Sequence, residues 1–215
     1  MVFLYSVTVQ NDMENATMNT DFKPVNIREI FRSKSPGMAR WIPGFIYRYL
    51  HNALELDQIN EILEHHGHKK DFDFAAAAID MFNVEVSVVG KENLPEDGRN
   101  IFVANHPLGG FDGVMLIHEL GQQYDRKVKV LVNDILMNAK NMDGVFVPIN
   151  KHGAQMIENV KRIDSIFQSD DQVMTFPAGL VSRRRKGVNR DPEWKKSFIT
   201  KSLHHQRNVV PVQIT

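Results

Sequence analysis

The chain contains no cysteine. Disulfides, thiolate catalysis and cysteine-ligated zinc are excluded, and the composition suits a reducing compartment. Net charge is also absent: 26 Lys and Arg residues face 26 Asp and Glu. No global field selects nucleic acid or an acidic partner. No apolar run approaches the ~18 residues of a membrane-spanning helix. The apolar opening, Met1 to Val9, is short and has no basic leader, so it does not read as a signal peptide. A polar run follows, and residues 1–23 are expected to be a flexible leader.

At 215 residues with 42% hydrophobic content, the chain is most simply one domain with a small helical annex. Residues 24–83 read as that annex. Ile27, Ile30 and Phe31 have helical spacing before the Pro36-Gly37 break. Phe45, Tyr49, Leu50 and Ala53 form a second stripe, which Ile59, Ile62 and Leu63 continue. Asp73 is a candidate cap for a further helix.

The texture changes at Val84, where alternation to Val89 ends in Gly90, as in a strand. From there strands (Ile101 to Ala104, Val128 to Val132, Val145 to Ile149, Val173 to Phe176, Val209 to Ile214) alternate with helical patterns. The expectation is an α/β domain over residues 84–215, with a mostly parallel sheet flanked by helices. In such sheets chemistry gathers beyond the carboxyl ends of strands. Asn105-His106 and Phe176-Pro177-Ala178-Gly179 both fall there.

A histidine near pKa ~6.5 accepts a proton at cellular pH. A carboxylate on its second nitrogen fixes the tautomer and stabilises the imidazolium. Gly109 and Gly110 allow a turn tight enough for Asp112 to return to His106. Two blander readings stay open. Asp112 is also a suitable helix cap, and the glycines suit a phosphate cradle, although no G-x-G-x-x-G or Walker pattern is present.

The pair Asn105-His106 with Asp112, followed in order by Phe176-Pro177-Ala178-Gly179, resembles the first and third motifs of the glycerolipid (1-acylglycerol-3-phosphate) acyltransferase superfamily. Gly144 to Ile149 resembles its second block, and Val210-Pro211-Val212 its fourth. Asn-His-Pro-Leu-Gly-Gly at 105–110 is most similar to a bacterial branch of lipid-acylating enzymes and hemolysin-type proteins. The resemblance implies that His106 deprotonates an acceptor hydroxyl, oriented by Asp112. The hydroxyl then attacks an acyl thioester of coenzyme A or acyl carrier protein, without a metal or bound cofactor. The implied acceptor is a lysophospholipid-like or amino-acid lysolipid molecule in membrane lipid synthesis. The implied place is the cytoplasmic face of the membrane, peripheral or monotopic. A hydrolase using the same pair and a silent lipid- or carrier-binding protein are the alternatives.

Two departures matter. The family usually has four residues between His and Asp, whereas five stand here. Its third motif usually reads Phe-Pro-Glu-Gly-Thr-Arg-Ser. Ala178 replaces the Glu, Leu180 the Thr and Val181 the Arg, which weakens the case for a phosphate-ester acceptor.

By the same resemblance Asn105, Gly110, Lys151, Phe176, Pro177 and Gly179 join the substrate-binding set. The basic run Arg183, Arg184, Arg185 and Lys186 suits a phosphate, on the acceptor, the phosphopantetheine arm or the carrier protein. One patch on a neutral chain does not suit nucleic acid. Trp41, Phe45, Tyr47 and Arg48 are the residue types of a membrane interface, and are expected to touch the lipid surface. His65, His66 and His68, like His204 and His205, are expected to be solvated helix ends rather than metal ligands.

Overall fold

A computed structural model describes residues 2–5, 24–34, 36–53, 56–96, 98–149, 155–185 and 187–215. The elements in chain order begin with β1 (Val2–Tyr5) and five helices: α1 (Ile27–Lys34), α2 (Pro36–Ala39), α3 (Gly44–Ala53), α4 (Leu56–His66) and α5 (Asp71–Met81). Then come β2 (Ser87–Val89), β3 (Asn100–Ala104), α6 (Gly110–Gln123), β4 (Val128–Val132), β5 (Phe146–Pro148), α7 (Gln155–Gln168) and β6 (Gln172–Thr175). The hairpin β7 (Arg183–Arg185) and β8 (Val188–Arg190), α8 (Ser197–His205) and β9 (Asn208–Ile214) complete the chain.

Seven strands form one sheet in the order β2-β1-β9-β3-β6-β4-β5. Every pairing is parallel except β1 with β2 at one edge. The α/β fold expected from the alternation is therefore present. Central β3 shows why its sequence lacks polar alternation. Phe102 and Ala104 enter a core shared with Met115, Leu116 and Leu120 of α6 and with Phe74 and Ala78 of α5. Ile101 and Val103 face the other side, with Phe167 of α7 and Phe198 of α8. A strand covered on both faces is apolar throughout.

The leader reading is corrected at Val2–Tyr5, which forms a strand between β9 and β2. Phe3 lies opposite Gln213 in parallel and Val89 in antiparallel register. An apolar, β-prone segment satisfies its backbone groups at a sheet edge that would otherwise stay unpaired. Residues 6–23 lie outside the described residues. The strand pattern from Val84 narrows to Ser87–Val89, the stretch that β1 pairs.

Ile27, Tyr47 and Leu56 of the first helices make a small core of their own. Val25 and Ile59 touch both this core and the main one. The helical region is thus packed onto the α/β layers, close to the strand ends where the histidine stands.

Candidate active site

β3 and β6 are neighbours, with Ile101 opposite Val173 and Val103 opposite Thr175. Two segments distant in sequence therefore meet beyond the carboxyl ends of neighbouring strands. The His106 ring stacks on Phe176, with centroids 4.1 Å apart and planes 20° from parallel. This contact fixes the plane of the imidazole.

Gly109 has φ 68 and ψ −128, a conformation that side chains with a Cβ rarely adopt. It turns the chain into α6, whose first residue is Gly110. Asp112 stands in the first turn and reaches back to His106, Nδ1 to Oδ2, at 2.8 Å. The five-residue gap closes. The Leu108 N–H donates to the same Oδ2 at 2.9 Å. Burial pushes the Asp112 carboxyl above its ordinary value, opposed by the His106 hydrogen bond and charge and by the Leu108 amide. The positive end of α6 favours the ionised form as well. Both hydrogen bonds need an acceptor at Oδ2, so the carboxylate selects the tautomer with the proton on Nδ1. Nε2 is left free to accept.

A second carboxylate, Asp191, holds the loops. The His106 N–H donates to its Oδ1 at 3.2 Å, and the Ser182 hydroxyl donates to the same oxygen. The Trp194 Nε1–H donates to Oδ2 at 2.7 Å. The Ser182 N–H also donates to the His106 carbonyl at 2.7 Å. The histidine backbone is thus tied to both ends of the segment carrying the basic hairpin.

The family profile described as acyltransferase matches residues 29–215. The chain belongs to the acyltransferase family. It is 48% identical to a lyso-glycine lipid O-acyltransferase of Bacteroides thetaiotaomicron over 188 residues, 87% of this chain and 69% of that protein. It is 42% identical over 188 residues to a lyso-glycine lipid O-acyltransferase of Phocaeicola vulgatus, covering 87% of this chain and 67% of that protein. No solved structure matches.

The remaining candidate residues of this acyltransferase divide sharply. Phe176 is at the histidine, and Pro177 is buried beside it in sequence. Gly179, at φ 68, turns the chain with its N–H donating to the Phe176 carbonyl at 2.9 Å. Asn105 holds the end of β9. Its Nδ2 donates to the Ile214 carbonyl at 2.7 Å and its Oδ1 accepts the Ile214 N–H at 2.6 Å. Ala178 is 5% exposed, so the position usually held by Glu offers only a buried methyl.

Arg183–Arg185 form one strand of an antiparallel hairpin. Arg183 pairs with Arg190 and Arg184 with Asn189. Arg183 and Arg184 are exposed, and the Arg183 guanidinium lies 5.4 Å from the Tyr49 ring centroid on α3. Lys151, Lys186 and the Arg185 side chain lie outside the described residues.

Sequence reasoning passed over two groups near the site. Asp191 belongs to no motif, because only the fold brings it to the His106 N–H, the Ser182 hydroxyl and Trp194. Lys195 lies beside Gly179, its Nζ 3.4 Å from where a Cβ there would stand. Its N–H donates to the Pro177 carbonyl at 3.1 Å.

Among the expected membrane residues, Trp41 and Phe45 are 85% and 72% exposed, and Arg48 is exposed. Tyr47 is a correction. It is 6% exposed, donates its hydroxyl to the Ala39 carbonyl at 3.0 Å and meets Phe31 edge-on at 5.9 Å. Helical rotation of about 200° over two residues carries Tyr47 to the inner face and leaves Phe45 and Tyr49 outside.

Among the described residues, Asp164, His204 and His205 bring three ligand atoms within 4.8 Å of one another. The Lys201 ammonium already sits 3.2 Å from Asp164 Oδ1, where a dication would have to displace it. This cluster lies near the amino ends of the parallel strands, where the Arg99 Nη2–H donates to the His205 carbonyl at 3.4 Å. His106 lies beyond the opposite, carboxyl ends.

Proposed function

We propose that this enzyme moves a fatty acyl chain from an acyl thioester, acyl-CoA or acyl carrier protein, to the hydroxyl of an amino-acid lysolipid. The names of the two relatives support a lyso-glycine lipid acceptor. The observation that carries the reading is the 2.8 Å contact of His106 Nδ1 with buried Asp112 beyond the end of β3.

In this mechanism Nε2 takes the proton of the acceptor hydroxyl. The oxygen attacks the thioester carbonyl, and the C–S bond breaks as the tetrahedral adduct collapses. The departing thiolate recovers the proton from the imidazolium, which the Asp112 charge has stabilised. General-base assistance of this kind contributes about 10²–10⁴ in rate.

A glycine lipid presents a carboxylate, and so needs a cation rather than the full phosphate set of the family's third motif. Lys195 beside Gly179 and Arg183 on the hairpin supply cations. Directly opposed like charges weaken a strand pair, so the Arg183–Arg190 pairing favours an anionic group at the hairpin. The phosphates of the donor fit that role. Trp41, Phe45 and Arg48 hold the enzyme on a lipid surface, at the cytoplasmic face of the membrane. No helix among the described residues is long and apolar enough to cross a membrane.

The test is mass spectrometry of lipids formed from labelled acyl-CoA or acyl carrier protein with lyso-glycine lipid or lysophosphatidate as acceptor. The expected outcome is an acylated glycine lipid, lost in His106→Ala. Donor consumption without any acceptor would mark a hydrolase. Unchanged product from His106→Ala would overturn the mechanism.

A further inference from the structure

A cleft of about 410 Å³ opens among the first three helices. Arg28, Arg32 and Arg40 line it, with Ile42 and Tyr47. Arg28 and Arg32 stand four residues apart on α1, and so share one face. That spacing of like charges destabilises a helix unless an anion joins it. Among the described residues, no carboxylate forms an ion pair with any of the three. The Arg28 guanidinium is held 5.1 Å from the Tyr47 ring centroid, which positions it in advance of a ligand.

The rim indicates the kind of anion. Trp41 lies between two lining residues, Arg40 and Ile42, yet projects into solvent at 85% exposure. Phe45 follows the lining residue Gly44 and is 72% exposed. The Tyr47 ring is taken by Arg28 and Phe31, so it offers no face to a nucleotide base. A cationic cleft flanked by protruding aromatics matches a phospholipid surface, with phosphate at headgroup depth and apolar groups just below it.

We propose that the Arg28–Arg32–Arg40 cleft binds the headgroup phosphate of an anionic phospholipid while Trp41 and Phe45 enter the interface. The cleft is distinct from the basic hairpin, because Tyr47 faces it from one side of α3 while Tyr49 meets Arg183 on the other. It therefore makes membrane attachment depend on lipid charge. The inference rests on the membrane-surface reading above.

Sedimentation with vesicles of phosphatidylcholine alone, and of phosphatidylcholine with phosphatidylglycerol, tests it. The triple variant Arg28→Gln, Arg32→Gln, Arg40→Gln should lose on the order of 100-fold in partitioning to the anionic vesicles, and little on the neutral ones. Trp41→Ser with Phe45→Ser should weaken both. If circular dichroism shows that the triple variant does not fold, Arg32→Gln with Arg40→Gln keeps the Arg28–Tyr47 contact. That double variant should lose about 30-fold. Equal binding of wild type and variant to anionic vesicles overturns the cleft alone. Absence of wild-type binding to either vesicle overturns the membrane reading with it. Inorganic phosphate that binds wild type but not the triple variant, with vesicle binding unaffected, would make this a free-phosphate site and overturn the proposal.

Discussion

An Asp112→Asn variant exchanges one oxygen for an amide nitrogen at a position that is 0% exposed. Both donors, His106 Nδ1 and the Leu108 N–H, converge on one carboxylate oxygen, at 2.8 and 2.9 Å. The asparagine carbonyl can take that place, so the ring keeps its orientation and tautomer. What disappears is the negative charge that stabilises the imidazolium. Coulomb's law at this separation, with an effective dielectric near 20, sets a ceiling of about 6 kcal/mol. A charged hydrogen bond exceeds a neutral one by about 1–2 kcal/mol, which sets the floor. Turnover should therefore fall by about 10- to 10⁴-fold, with KM nearly unchanged, because Asp112 is buried away from substrate. Stability should move the other way or not at all. Burial raises the Asp112 carboxyl above the ordinary carboxylate value of 3.8, so ionising it in the folded state costs energy. The folded protein then holds its proton more tightly than the unfolded chain. Wild-type stability relative to the variant should fall as pH rises from 3.8 through the raised value. Steady-state acyl transfer beside urea melts at acid and neutral pH measures both. Turnover within about threefold of wild type would leave Asp112 a helix cap and refute the reasoning. A loss of activity matched by a loss of folded protein would refute it equally.

Asp191→Ala removes one carboxylate from three donors in three segments. A cost of about 2–4 kcal/mol in urea unfolding is expected, with kcat falling more than KM, and Asp191→Asn should recover part of both. Arg207→Met tests the opposite end of the sheet. Arg207 is 3% exposed, and its guanidinium donates to the carbonyls of Ile166 and Phe167 at the end of α7 and of Ser169 and Asp171 just beyond it. Burial lowers its pKa to about 10, yet it satisfies carbonyls that would otherwise be buried unpaired. Chemical denaturation should show a loss of about 3–5 kcal/mol, with per-molecule activity of the remaining folded enzyme unchanged.

The legible part of the site was local. Gly109 preceded Asp112 by three residues, and the turn that joins Asp112 to His106 is built within one short segment. The extra residue in the gap did not prevent contact, because Gly109 takes a conformation open to glycine. The doubly covered β3 announced itself as an unbroken apolar run. The bonds of Asn105 to Ile214 were not legible, because they cross 109 residues of chain. Tyr47 resembles its exposed neighbours in sequence, and only the packing of α3 turns it to the inner face.

Residue order alone determined the alternation of strands and helices, and the chemistry open to a histidine followed, after a glycine turn, by a carboxylate. These depend on periodicity and short-range turns, which neighbouring residues control. Tertiary structure alone decided that Val2–Tyr5 closes the sheet against β9, that Asp191 ties three loops to His106, and that three arginines from the first helices share one cleft. The first two join segments far apart in the chain, and the third depends on how three short helices pack. Which groups meet is set by sheet order and helix packing, and no local pattern carries that information.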